Sequence, residues 1–162
     1  KTVNTIREFN PDTTLETLIP DFQGHTEQLD RIIMVHPEIV SHNIETVRRL
    51  TKEVRVQAKY DRSLEVLRYL KEKGMKTKSG IMCGMGESED EVLDTLHDLK
   101  NSGVDIVTLG QYMQPTPRHL KVVNYVHPDV FAMYKREGLK LGFGYIESGP
   151  LVRSSYHAEK HL

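Results

Sequence analysis

The chain has 162 residues, of which 38% are hydrophobic and 28% are charged, and its 22 Lys and Arg nearly balance 23 Asp and Glu. This length allows one domain with a substantial core, and the formal net charge of −1 gives no electrostatic argument for nucleic acid. No apolar run approaches the roughly 20 residues that span a bilayer, and residues 1–10 lack the apolar segment of a signal peptide. We therefore expect a cytoplasmic protein, a single domain over residues 1–162, and no nucleic-acid or membrane partner.

One cysteine, Cys83, limits the redox and metal chemistry of the chain. A single thiol excludes an internal disulfide, a CxxC pair and any all-cysteine zinc or iron–sulfur site made by this chain alone. Because Cys83 follows an apolar strand pattern, a small buried side chain is favoured over a nucleophile. The eight His residues show no HExxH spacing.

The first ten residues carry an apolar stripe, Val3, Ile6 and Phe9, with no N-cap residue before it. Such a short, uncapped helix would be marginal in water. Two interpretations remain open. We favour a piece of a longer protein whose helix begins earlier, and the alternative is a frayed terminal helix after Met removal.

Strand and helix patterns alternate along the rest of the chain. Predicted strands cover residues 14–19, 39–41, 76–82, 106–109 and 144–147, and predicted helices cover residues 27–35, 63–73, 88–101 and 128–141. The clearest helix is that at 88–101, where Ser88 and Glu91 form a capping box. This alternation predicts an α/β protein with a parallel sheet, either an open sheet or part of a barrel, since a complete eightfold barrel needs about 250 residues.

Polar and glycine residues cluster where the predicted strands end, which is where α/β sheets bind ligands. They are Asp21, His42, Asn43 and residues 84–87, 111–116 and 148–149. Polar loops are common without any function, but five of them on one face of a sheet favour a binding site.

Three glycines, Gly80, Gly84 and Gly86, follow one another at the end of the strand predicted at 76–82. Glycine permits a positive φ angle and lets a flat ligand approach the backbone closely, which would suit adenine or ribose. The GxGxxG spacing of dinucleotide-binding proteins is missing. Glycines also serve ordinary turns, so both interpretations stay open.

The segment after residue 41 has two interpretations. Asn43 and Glu45 could hydrogen-bond a ribose or an amino-acid head group, whereas Asn43 and Thr46 could instead cap the next helix.

Two later segments are also unusual. The loop after residue 109 carries neutral polar groups beside basic residues at 118–121, which could meet an anionic or carrier-protein partner or be solvated. The tail at 148–162 contains an apolar pair, Leu151 and Val152, that should dock it. The Arg-Ser-Ser-Tyr motif at 153–156 is then available to bind a ligand or partner. Neither a GxSxG motif nor a Ser-His-Asp order accompanies these serines, so a hydrolase is poorly supported.

Taken together, these strings resemble the lipoyl synthase family of the radical S-adenosylmethionine (SAM) superfamily. The resemblance runs from about residue 13 to residue 161, and the strings that carry it lie at 18–24, 41–47, 60–64, 78–80, 84–87, 110–116 and 148–158. It implies an α/β fold, a partial (βα)6 TIM-type barrel, here reduced to its C-terminal four or five βα units.

The resemblance also implies chemistry. Two [4Fe–4S] clusters lie at the open face of such a barrel, and one cleaves SAM to a 5′-deoxyadenosyl radical. That radical removes hydrogens from C6 and C8 of an octanoyl chain on a lipoyl carrier domain, and the auxiliary cluster is the sulfur source. The implied partners are an octanoylated lipoyl carrier domain or the glycine-cleavage H protein, with flavodoxin or ferredoxin as electron donor.

The sequence departs from the family pattern in its cysteines. The family uses C-x3-C-x2-C and C-x4-C-x5-C motifs N-terminal to the matching region, and Cys83 cannot replace six thiolates. We therefore expect the C-terminal piece of such an enzyme, inactive alone. One alternative is a cluster-free degenerate paralogue that binds a carrier protein, and a weaker one is a metal-dependent barrel enzyme such as an aldolase that uses Asp21 and scattered His.

The resemblance also implies roles for individual residues. Ser155, with Ser154 as the alternative, matches the fourth ligand of the auxiliary cluster, and Arg153 would position it or balance charge. Cofactor-binding residues would be Asn43, Glu45, Arg62, Gly80, Met82, Gly84 and Glu87. Substrate-facing residues would be Gln111, Tyr112 and Gln114.

Overall fold

The computed structural model describes residues 1–156 and 158–161. Its helices are α1 (Thr2–Phe9), α2 (Thr26–Met34), α3 (Thr51–Val54), α4 (Tyr60–Glu72), α5 (Glu89–Asn101) and α6 (Pro128–Leu141). Its strands are β1 (Glu16–Leu18), β2 (Ile39–Ser41), β3 (Thr77–Cys83), β4 (Ile106–Gln111) and β5 (Tyr145–Ser148). Of the predicted tail at 148–162, residues 157 and 162 lie outside the described part.

The five strands form one parallel sheet in the order β1-β2-β3-β4-β5. Each connection therefore moves to the next neighbour in the same direction. Because such crossovers are right-handed, the connecting helices lie on one face and the opposite face stays open for ligands. The predicted α/β fold with a parallel sheet is confirmed, and a sheet in chain order is what part of a barrel has.

The helix-covered face of the sheet forms the core. Alternate residues of β3, Ile81 and Cys83, join one apolar cluster with Leu67 of α4 and Leu96 of α5. Cys83 is fully buried, as predicted, and burial raises the pKa of its thiol, so it is a poor nucleophile.

Local signals set the helix ends. The capping box before α5 is confirmed: Ser88 Oγ accepts the Glu91 N–H at 3.2 Å, and Glu91 Oε2 accepts the Ser88 N–H at 2.8 Å. Arg49 also contacts Glu91 at 2.7 Å, and together with the Ser88 N–H it lowers the pKa of Glu91 to about 2.

The structure differs from the predicted elements in several places, among them β4, which ends at Gln111 instead of residue 109. Strand β1 is three residues long instead of six, and α4 begins at Tyr60 instead of residue 63. A short 3-10 turn at Arg48–Leu50 leads into the unpredicted α3. Short turns lack the helical periodicity that sequence patterns detect. No helix in the described part of the chain is long and apolar enough to cross a membrane.

Replacing Leu96 by Ala should destabilise the protein by about 2–5 kcal/mol, because its fully buried side chain would leave a cavity in the cluster. Denaturant unfolding measures this. The control is Leu139→Ala on α6, where the side chain is 52% exposed and the expected change is below about 0.5 kcal/mol. Equal losses in the two variants would contradict the described core.

Candidate functional site

A cleft of about 210 Å³ lies at the carboxyl ends of the central strands. Its lining comes from the β2 and β3 ends, β4 and the tail: Asn43, Glu45, Gly80, Ile81, Met82, Thr108, Gly110, Gln111, Met113, Val152, Arg153 and Ser154. Seven of these had been predicted as site residues, namely Asn43, Glu45, Gly80, Met82, Gln111, Arg153 and Ser154. The predicted clustering at strand ends is therefore confirmed for the segments that meet here.

Two glycines on neighbouring strands, Gly80 of β3 and Gly110 of β4, line the cleft at diagonal positions. In the register of β3 and β4, Gly80 pairs with Thr108 and Met82 pairs with Gly110. A Cβ at Gly80 would lie 2.9 Å from Asn43 Oδ1, and a Cβ at Gly110 would lie 2.2 Å from the Val152 carbonyl oxygen. At Gly110 the contact is with backbone, so this position requires glycine for space, whereas a side chain at Gly80 would have to displace the Asn43 amide.

The three predicted glycines differ in their backbone φ angles. Gly84 and Gly86 have φ angles of 103° and 104°, as the sequence predicted, whereas Gly80 lies within β3 and is not among the positive-φ residues. A Cβ at Gly84 would also lie 2.2 Å from Gln111 Nε2. Gly80 is thus explained by close approach alone, while Gly84 needs both the angle and the space.

Asn43 presents an unsatisfied acceptor to the cleft. Its side chain hydrogen-bonds the Glu45 carboxylate, yet its Oδ1 is buried with no partner among the described residues. The alternative that Asn43 and Thr46 cap a helix is wrong: Val47 precedes the next helical turn without a side-chain cap, and Thr46 Oγ1 also has no partner. A buried acceptor of this kind is normally satisfied by a ligand or water.

Glu45 holds a strained position beside Asn43. Its φ angle is 67°, which is uncommon for a residue with a side chain. Its N–H donates to the Gly80 carbonyl at 2.9 Å and its carbonyl accepts the Met82 N–H at 2.8 Å, so it extends the sheet next to β3. Burial raises the pKa of Glu45, against the lowering effects of Asn43 and Arg55.

Two more polar residues lie beside the cleft: His42, which the sequence predicts at a strand end without a specific role, and Arg55, which it does not single out. His42 is buried, and burial lowers its pKa, so the neutral ring donates from Nδ1 to the Ile19 carbonyl at 3.0 Å. Its Nε2 accepts from Ser63 Oγ at 2.9 Å, and Arg55 contacts the same hydroxyl at 2.9 Å. This chain of contacts joins the β1 and β2 ends to α4. Arg55 lies in an unpredicted turn among other charged residues, so no sequence signal marks it.

Arg62 does not line the cleft. Its Nε contacts Asp21 Oδ2 at 2.6 Å, and its other nitrogen donates to the Gln57 carbonyl at 2.8 Å. Burial by itself would raise the pKa of Asp21, but the Gln23 N–H and Arg62 hold it below its usual value. Asp21 is therefore the ion-pair partner of Arg62. Among the described residues there is no group of three or more His, Cys, Asp or Glu side chains placed to hold a metal ion.

The glycine turn is closed by Glu87, which also lies outside the cleft lining. Its carboxylate accepts the backbone N–H groups of Gly84 and, at 3.0 Å, of Met85. A side chain committed to two backbone donors supports the turn and thereby the end of β3. Gly84 and Glu87 thus shape the backbone beside the cleft.

The three predicted substrate residues all hold the loop after β4. Gln111 lines the cleft, but its amide spans the loop: Nε2 donates to Tyr112 and Asn124 carbonyls, and Oε1 accepts the Val126 N–H at 2.9 Å. The Tyr112 hydroxyl donates to the Leu120 carbonyl at 2.8 Å. The Gln114 amide likewise donates to the His119 carbonyl at 2.9 Å.

The tail runs along the end of β4. The Gly149 N–H donates to the Leu109 carbonyl at 3.1 Å, and Val152 is buried against Gly110. The prediction that Leu151 also docks is wrong, because its side chain is 83% exposed.

The two serines that follow differ in position. Ser154 is half-buried and lines the cleft, whereas Ser155 is exposed and is not among the lining residues. Arg153 also lines the cleft and is exposed, and its guanidinium donates to the Val152 carbonyl at 2.8 Å.

The free energy of unfolding of Glu45→Gln, taken relative to that of the parent protein, should increase as pH rises from 4 to 7. A carboxyl whose folded-state pKa is raised stabilises the fold below its unfolded pKa, and this contribution is lost as pH rises through the folded pKa. The neutral amide avoids that loss. Urea unfolding across this pH range measures the difference. Glu65→Gln, at an exposed position on α4, is the control, and a pH-independent difference for Glu45→Gln would contradict the buried carboxylate.

Comparisons with known proteins agree with this geometry. The family model described as Radical SAM superfamily matches residues 2–99, more than half of the chain. The whole chain is 64% identical to the lipoyl synthase of Flavobacterium johnsoniae and 65% identical to the mitochondrial lipoyl synthase of Nematostella vectensis. It spans 57% and 56% of the length of these two relatives.

The fold also has solved relatives. A crystal structure of methylornithine synthase aligns with a TM-score of 0.67 over 94% of this chain and 52% of that protein, at 14% identity. Such low identity is informative about the fold alone, and it confirms the predicted partial-barrel class. The resemblance found in the sequence is likewise confirmed over the whole chain. The chain belongs to the Radical SAM superfamily.

Proposed function

We propose that the protein carrying this chain is a lipoyl synthase that inserts two sulfurs, at C6 and C8, into an octanoyl chain on a carrier domain. The observation that carries the proposal is the coincidence of a whole-chain similarity to proteins of that name with a cleft lined by seven of the predicted site residues. Because the chain spans little more than half of those relatives, this activity belongs to the intact protein.

The cleft suits the adenosyl part of SAM. The unpaired Asn43 Oδ1 can accept from an adenine amine or a ribose hydroxyl, and Gly80 leaves room for a flat group against β3. Glu45 adds a carboxylate that can accept from hydroxyl or ammonium groups. When bound, SAM with a reduced [4Fe–4S] cluster supplies a radical that removes hydrogen from unactivated carbon. The role of these residues is to bind and orient the cofactor.

The cluster ligands lie mostly outside this chain. With Cys83 buried in the core on the helix-covered side, the described residues offer no thiolate to the cleft. The serine hydroxyls at 154 and 155 remain as donors from the tail. A serine oxygen is a harder ligand than a thiolate, so an iron that it holds is more easily released as sulfur leaves. Arg153 beside them would balance negative charge.

The remaining lining suits an apolar substrate. Met82, Met113 and Val152 contribute apolar surface to the cleft, which an octanoyl chain would contact. The carrier of that chain would be a lipoyl carrier domain or the glycine-cleavage H protein, and flavodoxin or ferredoxin would deliver electrons. A cytoplasmic location is part of the proposal, although one relative is named as mitochondrial.

The gene sequence upstream of Lys1 distinguishes this enzyme from the cluster-free binding module. The enzyme requires both cysteine motifs in the same reading frame, whereas a start codon next to Lys1 would leave the module as the remaining hypothesis.

In the intact protein, Asn43→Leu should weaken SAM binding by roughly 5- to 150-fold, because a buried hydrogen bond to the ligand is lost. Calorimetric titration of SAM measures this. Asn101→Leu, at an exposed position near the end of α5, is the matched control and should bind normally. Unchanged affinity in Asn43→Leu would place the adenosyl group elsewhere.

Ser155→Ala should strongly reduce sulfur insertion in the intact protein, and Ser154→Ala should reduce it less. The measured product is the lipoylated carrier, and SAM cleavage to 5′-deoxyadenosine is followed in parallel to detect any effect on the cofactor cleft. The reverse order of the two variants would transfer the ligand role to Ser154, which lines the cleft. Full activity in both variants would show that neither serine takes part in sulfur insertion.

A further inference from the structure

Lys78 is a fully buried charged side chain with no role in the site described above. It belongs to β3, two residues before Gly80, and its side chain is 0% exposed. In the pleat of β3 it lies on the same face as Gly80 and Met82, opposite to the core residues Ile81 and Cys83. It therefore lies under the cleft, on the open face of the sheet.

Two oxygen atoms from distant parts of the chain accept from this ammonium group. Glu16 Oε2 of β1 lies 2.8 Å from Lys78 Nζ, and its side chain is 23% exposed. The second acceptor is the backbone carbonyl of Ser154, 76 residues later in the sequence. Burying an ammonium group is costly unless acceptors surround it, so the contact with Ser154 compensates part of the cost of burying Lys78.

The Ser154 contact attaches the tail to the sheet just where the Arg153–Tyr156 motif begins. The backbone hydrogen bonds at Tyr156 and Ala158 are local, to the Arg153 and Ser155 carbonyls. Local bonds fix the shape of a turn but not its place on the sheet. Upstream, Gly149 and Val152 hold the tail on β4, and the Lys78 ammonium adds an attachment at Ser154. A hydrogen bond from a charged donor is stronger than one between neutral groups.

We propose that Lys78, held by Glu16, is a positioning residue that fixes the Ser154 and Ser155 hydroxyls at the rim of the cleft. The inference rests on the proposed function only where it assigns those hydroxyls a role as cluster ligands. The positioning of the tail is a property of the fold and does not depend on that function. Lys78 acts through the Ser154 carbonyl and touches neither cofactor nor substrate.

The test uses trypsin, which cleaves after Arg153 once the tail leaves the sheet. In the intact protein, Lys78→Met should speed cleavage between Arg153 and Ser154 by about tenfold or more, the effect of losing one charge-assisted hydrogen bond. Mass spectrometry follows this peptide bond, with cleavage after the exposed Lys121 as an internal reference. Amide hydrogen exchange at 154–156 should accelerate in parallel.

The matched control is Lys71→Met. Lys71 of α4 contacts Asp105 Oδ1 at 2.6 Å with a side chain 42% exposed, so this variant removes an ion pair far along the chain from the tail. It should leave cleavage after Arg153 unchanged. If Lys78→Met does not fold, the double variant Glu16→Met/Lys78→Met replaces the pair by apolar groups and is measured instead.

A folded Lys78 variant with parental rates of cleavage and exchange would overturn the positioning role. These readouts need neither SAM nor turnover. If the parent protein failed to bind SAM while Lys78→Met still released the tail, the proposed function would fail and the positioning role would stand.

Discussion

The close approach of the Val152 carbonyl to Gly110, where a Cβ would lie 2.2 Å from its oxygen, shapes the open face of this sheet. At Gly80, a Cβ would lie 2.9 Å from the Asn43 amide oxygen and would displace it. Because packed backbone cannot shift by an ångström without disturbing its neighbours, the approach of Val152 to Gly110 helps to place the tail beside β4. The cleft and the position of the tail depend on the space at these two glycines.

Around this space several buried polar groups are paired. His42 is kept neutral between the Ile19 carbonyl and the Ser63 hydroxyl, and Lys78 donates to oxygens from β1 and the tail. Among the described residues that line the cleft, Asn43 Oδ1 is the buried side-chain polar atom without a partner; four buried hydroxyls outside the lining, those of Thr17, Ser41, Thr46 and Ser148, also lack one. An unpaired acceptor beside a cavity is suited to bind a ligand there.

Several of the predicted site residues support the loops beside the cleft. Gln111, Tyr112 and Glu87 each use their polar atoms on backbone groups, which holds the loops beside the cleft in one conformation. A residue that holds a loop and a residue that binds a ligand both need a polar side chain such as Asn, Gln, Glu or Tyr. A sequence motif therefore cannot distinguish the two roles, whereas the hydrogen-bond partners seen in the structure can.

The α/β alternation, the α5 capping box, the burial of Cys83 and the family resemblance could be predicted from the sequence, because they follow from periodicity, local spacing and residue type in short strings. The tertiary structure was needed to show that Gly80 lies against the Asn43 amide, that Arg62 pairs with Asp21 away from the cleft, and that Lys78 reaches Ser154. These contacts join residues separated by 37 to 76 positions. The physical reason is that burial, close approach and charge pairing depend on distances in space, which a linear pattern does not contain.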